Sequence, residues 1–445
     1  MLQTIRNAWK IADLRKKLLF TFAILLLYRL GNVIPVPFVD TKTMSAWFQS
    51  SSLQNSVLGL FNMMSGSAFS RATLFALAIQ PYINASIIVQ LLTIAIPSLE
   101  RLSKEGGEEG RKKIEQITRY ATVALGLLMG WAYWMMLKNS DATSIAAGTG
   151  AILKQTGFVP ALTVILSFTA GASLVMWLGE QITEFGIGNG ISMILFANIV
   201  SRLPQMVGNL FIGDGKTTGL FHDPAGYWYV ALIAIVGIVA LIMFIVFITN
   251  AERRIPVSYA KRVVGRKVYG GQNTFLPIKV NMSGVLPIIF AQSVATLPAT
   301  IAAFAGKATD SNPWYKYVWS NTSAVYLVCY LLLIIGFSYF YATIQYNPVE
   351  VSNNLRKNGG FIPGYRPGRP TSDFIARVIN KITLFGAIFL GIVAILPILV
   401  GMINTKFSTM AIGGTSVIIV VAVALETVQA IEAQMMMRHY KGFLE

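Results

Sequence analysis

The sequence predicts an all-α polytopic membrane protein whose ten transmembrane helices form two inverted halves of five helices each. Hydrophobic residues make up 54% of the 445 residues and charged residues only 12%, whereas soluble domains carry about 25% charged residues. Ten apolar runs have roughly the length of a bilayer span, about 20 residues. Helix-breaking residues recur at matching positions of the two halves. This composition excludes a soluble enzyme.

The ten predicted spans follow one another along the whole chain. They cover residues 18–34, 74–96, 120–137, 158–178, 186–200, 227–249, 285–304, 324–344, 382–402 and 415–432. The first run follows Arg15, Lys16 and Lys17, as the apolar part of a secretory signal does, but no small-residue cleavage site closes it. We therefore expect a retained first span.

Lysine and arginine are distributed unevenly between the segments that flank these spans. The two tails and the loops on the same side hold 26 of them, and the segments on the other side hold 9. Basic residues are enriched on the cytoplasmic side of membrane proteins. Both termini and two long basic loops, 250–284 and 345–381, are therefore expected to face the cytoplasm.

Helix-breaking residues support the division into inverted halves. Prolines interrupt spans 2 and 7, and glycines precede spans 5 and 10. These residues are Pro81, Pro287, Pro298, Gly186, Gly188, Gly190, Gly413 and Gly414. Irregular backbone in a membrane is tolerated only where protein or a cavity shelters it, so the pattern favours a transport pathway between two repeats. The alternative is that proline and glycine are simply common in membrane helices.

The chain lacks the groups that catalysis, metal binding and coupled transport require. One cysteine, Cys329, and two histidines, His222 and His439, cannot form a disulfide framework or a zinc site. The sequence has no phosphate-binding loop of the G-x-x-x-x-G-K-[ST] type. The spans carry few ionisable residues, and Arg29 in the first is expected to snorkel outward. We predict no catalytic residue, no metal site and no cofactor.

Two features inside the apolar part stand out. The segment 57–70, VLGLFNMMSGSAFS, is apolar but too short to cross a bilayer, so it either lies at the membrane interface or folds into a cavity between helices. Both alternatives remain open. Spans 2 and 7 carry the polar side chains Asn84, Gln90, Gln292 and Thr296, which either tie helices together or form weak contacts of a gate.

The two long basic loops combine positive charge with a shaped framework. Loop 250–284 holds seven Lys and Arg residues, and loop 345–381 holds six and contains the run FIPGYRPGRP at 361–370. Attraction to anionic lipids, docking of an acidic protein and docking of RNA all fit this pattern. We favour docking, because a rigid run rich in proline and glycine forms a platform and not a diffuse tail.

Six motifs are more specific than membrane composition requires. They are FNMMSGSAFSRA (61–72), AIQPYINASII (78–88), WLGEQITEFGIGNGIS (177–192), RRIPVSYAKR (253–262), LPIKVNMSGVLP (276–287) and FIPGYRPG (361–368). Together they resemble the SecY family, the channel subunits of the bacterial protein translocase. The resemblance implies two five-helix halves around a central pore, through which unfolded secretory polypeptides pass and from which hydrophobic segments leave sideways into the lipid.

The resemblance also implies roles for individual residues. The pore ring would consist of Ile79, Ile83, Ile191, Leu195, Ile289 and Ile419. The plug, 57–71, would include Leu60, Phe61, Asn62, Met63, Met64, Ser65, Gly66, Ser70 and Arg71. The lateral gate would include Asn84, Gln90, Gln292 and Leu297. Docking of a motor or ribosome would use Arg253, Arg254, Arg266, Lys267 and Arg366. Leu195 stands where some relatives have isoleucine, and it keeps an aliphatic volume.

The resemblance further implies partners, a location and domain boundaries. SecE and SecG would be partner subunits, the SecA ATPase or the ribosome would drive transport, and secretory preproteins and signal peptides would be substrates in a membrane with anionic lipids. DNA is not an expected partner. The protein would lie in the bacterial plasma membrane. Its parts would be an N-terminal segment 1–17, a first half 18–202, an external hinge 203–226, a second half 227–432 and a tail 433–445.

Two other functions compete with a channel. An inverted-repeat secondary transporter would place a small-molecule site between spans 2 and 7, but it would need carboxylates or a polar midplane, which the spans lack. A passive membrane scaffold would have neither a cavity nor a plug.

Overall fold

Helices make up most of this chain, as the apolar runs predict. The computed structural model describes residues 2–50, 57–146, 150–204, 228–259, 262–264, 267–269, 273–282, 284–304, 323–403 and 408–441. The expected hinge 203–226 falls almost entirely outside the described residues, as do Arg266 and the last four residues of the tail.

Each predicted span overlaps a helix, although several helices extend well beyond their span. Within the described residues they are α1 (Leu2–Lys10), α2 (Ala12–Gly31), α3 (Thr41–Ser50), α4 (Val57–Met64), α5 (Gln80–Ala95), α6 (Pro97–Glu105), α7 (Gly107–Ala146), α8 (Phe158–Phe185), α9 (Gly190–Val200), α10 (Trp228–Thr249), α11 (Leu286–Phe304), α12 (Ala324–Gln345), α13 (Pro348–Lys357), α14 (Arg369–Ile403) and α15 (Ser408–Lys441).

Several of these helices have the length and hydropathy of membrane spans. Among the described residues, five helical stretches meet both criteria, namely Gly107–Asn139, Phe158–Phe185, Ala324–Lys357, Arg369–Leu396 and Ser416–Met436. A sixth span results if α5 and α6, which meet at an angle of 105°, count as one. Shorter apolar helices include α9 and parts of α10 and α11. The chain is therefore a multi-pass membrane protein.

The predicted second span begins later than expected, and its proline does not interrupt it. Residues 74–79 form turns, in which Ala78 has a left-handed φ of 48°. Pro81 lies in the first turn of α5, where a missing N–H costs nothing because that group has no intrahelical acceptor. Pro287 occupies the same place in α11, whereas Pro298 lies inside that helix. The prediction that Pro81 breaks a helix was wrong; it starts one.

The two glycine clusters also differ from each other. Gly413 and Gly414 lie within α15 and do not precede it, so that part of the prediction was wrong as well. The cluster before α9 does form a turn, in which Gly188 has a φ of 75°. Asn189 then caps α9, its side-chain oxygen accepting two backbone N–H groups of the first turn. Of the matching helix-breaking positions predicted for the two halves, the structure therefore retains one pair, the prolines in the first turns of α5 and α11.

The two basic loops contain a three-stranded sheet and a separate two-stranded sheet, which the sequence analysis did not anticipate. β1 (Glu252–Tyr259) pairs antiparallel with β4 (Asn273–Lys279) and with β5 (Gly360–Phe361), and β2 (Arg262–Val264) pairs with β3 (Lys267–Tyr269). Along β1 the apolar residues Ile255 and Val257 are buried, whereas Arg254 and Pro256 are exposed, the period-two pattern of a half-buried strand. The fold is therefore mostly helical and not purely all-α.

Buried apolar side chains link the helices in clusters. One cluster is built from α3, α4, α7, α8 and the turns before α5, and another from α10, α11, α12, α14 and α15. A further cluster, called the central cluster below, joins α2, α4, α5, α8, α9, α11, α12 and α15. The central cluster therefore joins helices of the first cluster to helices of the second.

Helices α8 and α9 approach so closely that a glycine is required between them. A Cβ added to Gly190 would collide with the carbonyl oxygen of Gly179. The backbone N–H of Gly190 donates to Thr183 Oγ1 at 2.9 Å. The turn before α9 therefore fixes that short helix against α8.

We predict that Gly190→Ala lowers the free energy of unfolding by about 1–3 kcal/mol, the usual cost of forcing a methyl group into filled space. Thermal unfolding of the purified protein in detergent measures the change. Gly237→Ala is the matched control, because a Cβ added to that residue of α10 meets no atom within 4 Å. Equal melting temperatures for Gly190→Ala and the wild type would contradict the close approach.

Candidate functional site

The six aliphatic residues of the expected ring lie together in the central cluster. Ile191 is partly buried, and the other five are buried. They come from the start of α5, from α9, from α11 and from α15, and they are Ile79, Ile83, Ile191, Leu195, Ile289 and Ile419. Residues separated by up to 340 positions in sequence therefore meet at one place.

The geometry around Gly179 shows how closely the ring residues pack. The position of a Cβ on Gly179 would lie 3.5 Å from Ile79 Cδ1 and 3.8 Å from Ile191 Cγ1. Aliphatic side chains offer no ligand to an ion, and a narrow aliphatic constriction excludes water when empty. The cluster can therefore act as a seal but not as a binding site for a small polar solute.

The apolar segment 57–71 is folded against this cluster. It comprises α4, a turn and a 3₁₀ turn at Phe69–Arg71. Met64 belongs to the central cluster, and Leu58 and Phe69 are buried in the cluster formed with α3, α7 and α8. Of the two alternatives that the sequence left open, the structure shows the buried one, because the segment lies between helices and not on the outer surface.

Hydrogen bonds within the segment satisfy its irregular backbone. The Asn62 Oδ1 atom accepts the Ser70 N–H at 2.9 Å, and Ser65 Oγ accepts the Phe69 N–H at 3.0 Å. Ser65 Oγ also donates to the Asn62 carbonyl at 3.1 Å. Buried backbone groups need such partners, so the side chains of Asn62 and Ser65 explain how the turn folds in an apolar environment.

Contacts from other helices hold the segment in place. Tyr133 on α7 donates its hydroxyl to the Phe69 carbonyl at 2.6 Å, and the two rings meet edge to face at 4.8 Å. Ser416 on α15 donates to the Met63 sulfur at 3.2 Å. Phe61 stacks on Phe69, and Arg71 is exposed.

Space remains beside the segment. A cavity with room for about one water molecule is lined by Phe61, Met64, Phe69, Ala76, Leu77, Ala78, Ile79, Gln80, Met129 and Leu195. The segment and the ring residues Ile79 and Leu195 thus share one void, so loss of the segment would enlarge a space that already reaches the ring.

Arg29 does not point outward as the sequence analysis expected. Its Nη2 group donates to the Ala197 carbonyl on α9 at 2.9 Å. Its Nη1 atom lies 2.9 Å from the position that a Cβ on Gly66 would take. The guanidinium is therefore directed toward the end of α4, and the prediction that it snorkels was wrong because backbone carbonyls are available inside the protein.

Polar contacts connect the helices of the expected lateral gate. Gln80 on α5 donates to Ser293 on α11 at 3.1 Å, and Tyr341 on α12 donates to Gln90 on α5 at 2.7 Å. Both Gln80 and Ser293 are buried. The face between α5, α11 and α12 is therefore closed by a few hydrogen bonds.

The four gate residues named from the sequence have different surroundings. Gln292 is buried, and its Oε1 atom has no hydrogen-bond partner among the described residues. Asn84 and Gln90 are half-buried, and Leu297 is 42% exposed. Gln90 accepts one of the hydrogen bonds between these helices, whereas Leu297 faces outward on α11.

Three of the basic residues named for docking lie on or next to strands of the β4–β1–β5 sheet. Arg253 and Arg254 are exposed on β1, where Arg254 pairs with Glu252 at 2.7 Å. Arg366 is exposed after β5, and its carbonyl accepts the Thr371 hydroxyl at 2.8 Å.

The sheet joins the two basic loops into one body. Lys267 lies on β3, and Arg266 lies outside the described residues. Beside Arg366, the ring of Tyr365 stacks on Phe374 at 4.2 Å. Since β1 and β5 come from different loops, the sheet brings Arg253 and Arg254 into one body with Arg366.

Sequence reasoning missed several contact residues, namely Gln80, Tyr133, Ser293 and Tyr341. It also missed the pair Asn198 and Tyr28, in which Asn198 Nδ2 donates to the Tyr28 hydroxyl at 2.7 Å. Asn198 could have been singled out from the sequence, since it is a polar amide inside the short apolar run of α9. The others show no signal in sequence, because a hydroxyl or amide gains its role from a partner on a distant helix.

Comparisons with known proteins identify the family of this chain. The sequence matches the model of the SecY family over residues 73–428. It is 42% identical over 448 residues to the protein translocase subunit SecY of Streptomyces galbus and 41% identical over 455 residues to that of Corynebacterium glutamicum, and both alignments cover 100% of each chain.

Solved structures resemble the fold at lower sequence identity. A protein-conducting channel matches with a TM-score of 0.65 at 16% identity, and the match covers 94% of this chain and 91% of that chain. Sec61 in the canine ribosome-channel complex matches with a TM-score of 0.60, at the same identity and coverage. These likenesses concern the fold alone.

We predict that the Gln80–Ser293 hydrogen bond contributes measurable coupling between α5 and α11. A double-mutant cycle with Gln80→Ala and Ser293→Ala, read from unfolding free energies, should give a coupling of about 0.6 kcal/mol and at most about 1.7 kcal/mol, the range for polar pairs between membrane helices. Gln80→Ala combined with Ser372→Ala at the start of α14 should be additive. Equal coupling in both cycles would contradict the contact.

Proposed function

This chain belongs to the SecY family, and on that premise we propose that it forms the channel through which a translocase passes unfolded secretory polypeptides across the membrane. It is a translocase subunit and not an enzyme, so the energy comes from a partner. The observation that carries the proposal is the meeting of six aliphatic residues from four helices, with an apolar segment folded against them.

The proposed pore ring is the set Ile79, Ile83, Ile191, Leu195, Ile289 and Ile419. Its burial in the central cluster supports a closed resting state. Flexible aliphatic side chains can part around any polypeptide, because their contacts are non-directional. The same side chains would keep ions out when no polypeptide is present.

The proposed plug is the segment 57–71, with Leu60 among its residues. Its support is the void shared with Ile79 and Leu195 and its contacts with α7 and α15. Each of these contacts is a single hydrogen bond or an apolar contact, so an entering polypeptide could displace the segment without unfolding the surrounding helices.

The proposed lateral gate lies between α5 and α11, with Asn84, Gln90, Gln292 and Leu297 on its faces. The hydrogen bonds Gln80–Ser293 and Tyr341–Gln90 support this position. Polar pairs between membrane helices contribute only about 0.6 kcal/mol on average. Parting the gate to release a hydrophobic segment into lipid would therefore break few and weak bonds.

The proposed docking surface for a SecA-type motor or a ribosome comprises Arg253, Arg254, Arg266, Lys267 and Arg366. The β4–β1–β5 sheet supports it, since its strands come from both loops and carry or adjoin Arg253, Arg254 and Arg366. A structural relative is a ribosome-bound channel. SecE and SecG as partner subunits, with preproteins and signal peptides as substrates, follow from the family.

The proposed membrane arrangement is a bacterial plasma-membrane protein with both termini cytoplasmic. Its halves would be 18–202 and 227–432, joined by the external hinge 203–226, with loops 250–284 and 345–381 in the cytoplasm. The 26-to-9 distribution of basic residues supports this orientation. The similar starts of α5 and α11 support the inverted repeat.

Deleting residues 57–70 tests the channel directly. We predict ion conductance well above the wild-type level in reconstituted vesicles, because the void beside the ring opens. Wild-type protein at equal density and protein-free vesicles are the controls, and gel filtration confirms that the variant is folded. Baseline conductance from a folded deletion variant would favour the passive scaffold instead.

Arg366→Glu tests the docking surface. We predict that motor-driven preprotein translocation falls at least about tenfold, because a reversed charge in an interface costs several kcal/mol. Arg366→Lys, which keeps the charge, should retain most transport, and the thermal stability of both variants should match the wild type. Normal translocation by Arg366→Glu would refute the role of this residue.

A further inference from the structure

The end of α4 is held by groups that belong to neither the ring nor the gate. A helix leaves its last carbonyls without intrahelical donors, and inside a membrane protein those carbonyls need other partners. The carbonyl of Met64, the last residue of α4, accepts a hydrogen bond from Asn198 Nδ2 at 2.8 Å. Asn198 thus caps α4 from a different helix, α9.

The Asn198 amide is fixed by a second hydrogen bond. Its Nδ2 group also donates to the Tyr28 hydroxyl on α2 at 2.7 Å. Both Asn198 and Tyr28 are fully buried, and the Tyr28 ring stacks on Phe75 at 5.4 Å. The amide is therefore already oriented, and little side-chain entropy is lost when α4 docks onto it.

Arg29 adds a positive charge at the same place. Its Nη2 group donates to the Ala197 carbonyl, and its Nη1 atom lies next to Gly66, two residues beyond the end of α4. A cation near a helix C-terminus interacts favourably with the helix dipole. Gly66 has a φ of 65°, and a Cβ there would lie 2.9 Å from Arg29 Nη1 and 3.0 Å from Asn198 Oδ1.

We propose that Asn198, Tyr28 and Arg29 form a polar latch that holds the C-terminal end of α4 in the closed channel, and that breaking this latch is a step in plug release. The inference rests on the proposed function, since it takes 57–71 as a plug. The latch acts on the plug through directional bonds, whereas the ring acts through apolar contacts. Residues outside the pore thereby set how readily the empty channel opens.

The test measures how often the plug leaves its site. Met63 is buried beside Ser416, so Met63→Cys in a Cys329→Ala background places the sole thiol at the docked plug. A membrane-impermeant maleimide should label this thiol in the reconstituted channel at a rate proportional to the population with the plug released. We expect Asn198→Ala to raise the rate about tenfold, the effect of losing one buried hydrogen bond.

Further variants separate the latch from general destabilisation. Gly66→Ala should also speed labelling, because its methyl group would displace Arg29 and Asn198. Tyr28→Phe should raise the labelling rate less than Asn198→Ala does. The double variant should label no faster than Asn198→Ala alone, because both substitutions act through the Asn198 amide. Ser192→Ala, a buried polar-to-small change on the same helix, should leave the rate unchanged. If Asn198→Ala does not fold, the labelling rates of Gly66→Ala and Tyr28→Phe decide the question.

The outcomes distinguish the latch from the channel itself. Faster labelling in the Asn198, Tyr28 and Gly66 variants, with Ser192→Ala unchanged, supports the latch. Wild-type labelling rates in those variants, while deletion of 57–70 conducts ions, would overturn the latch and leave the channel intact. A folded deletion variant that does not conduct would overturn the proposed function instead. Equal acceleration by Ser192→Ala would show general loosening and would also overturn the latch.

Discussion

Backbone hydrogen bonding inside a membrane is the constraint on which the rest of this structure depends. Lipid offers no partner for an N–H or C=O group, so irregular backbone must be sheltered and paired within the protein. Residues 65–79 are irregular, and they lie among helices where side chains such as Asn62, Ser65 and Tyr133 complete their hydrogen bonds. The same enclosure brings α4 against the aliphatic ring. The burial of the proposed plug and the packing of the proposed ring therefore both follow from one requirement.

The closed arrangement depends on contacts that are individually weak. Lipid tails are as apolar as leucine side chains, so no hydrophobic driving force holds membrane helices together, and packing with a few hydrogen bonds must suffice. Here α5 and α11 share the bond between Gln80 and Ser293. The sheet of β4, β1 and β5 is close to this contact along the chain, since β4 ends at Lys279 and α11 begins at Leu286. A partner bound to the proposed docking surface would therefore act near the start of one helix of the proposed gate.

Much of the fold could be predicted from the sequence, because apolar runs and charge asymmetry are local signals. Each of the ten predicted runs overlaps a helix, and five or six helical stretches among the described residues qualify as spans. Pro81 and Gly413 were misjudged, since a proline is harmless in a first turn and a glycine is tolerated within a helix. The sheet was missed because its strands β1 and β5 are 100 residues apart. The ring residues came from resemblance alone, since periodicity cannot tell a pore-facing isoleucine from a lipid-facing one. Partners such as Asn198 and Met64 depend on packing between distant helices.

Photo-crosslinking from the ring tests the central claim most directly. A photoreactive amino acid at Ile83 and, separately, at Ile289 would be activated while a secretory chain is stalled in transit, with a probe at the exposed Phe22 of α2 as the control. The account predicts adducts to the stalled chain from both ring positions and none from the control. The absence of adducts from both ring positions, with the chain demonstrably engaged, would place the path elsewhere and contradict the assignment of the pore.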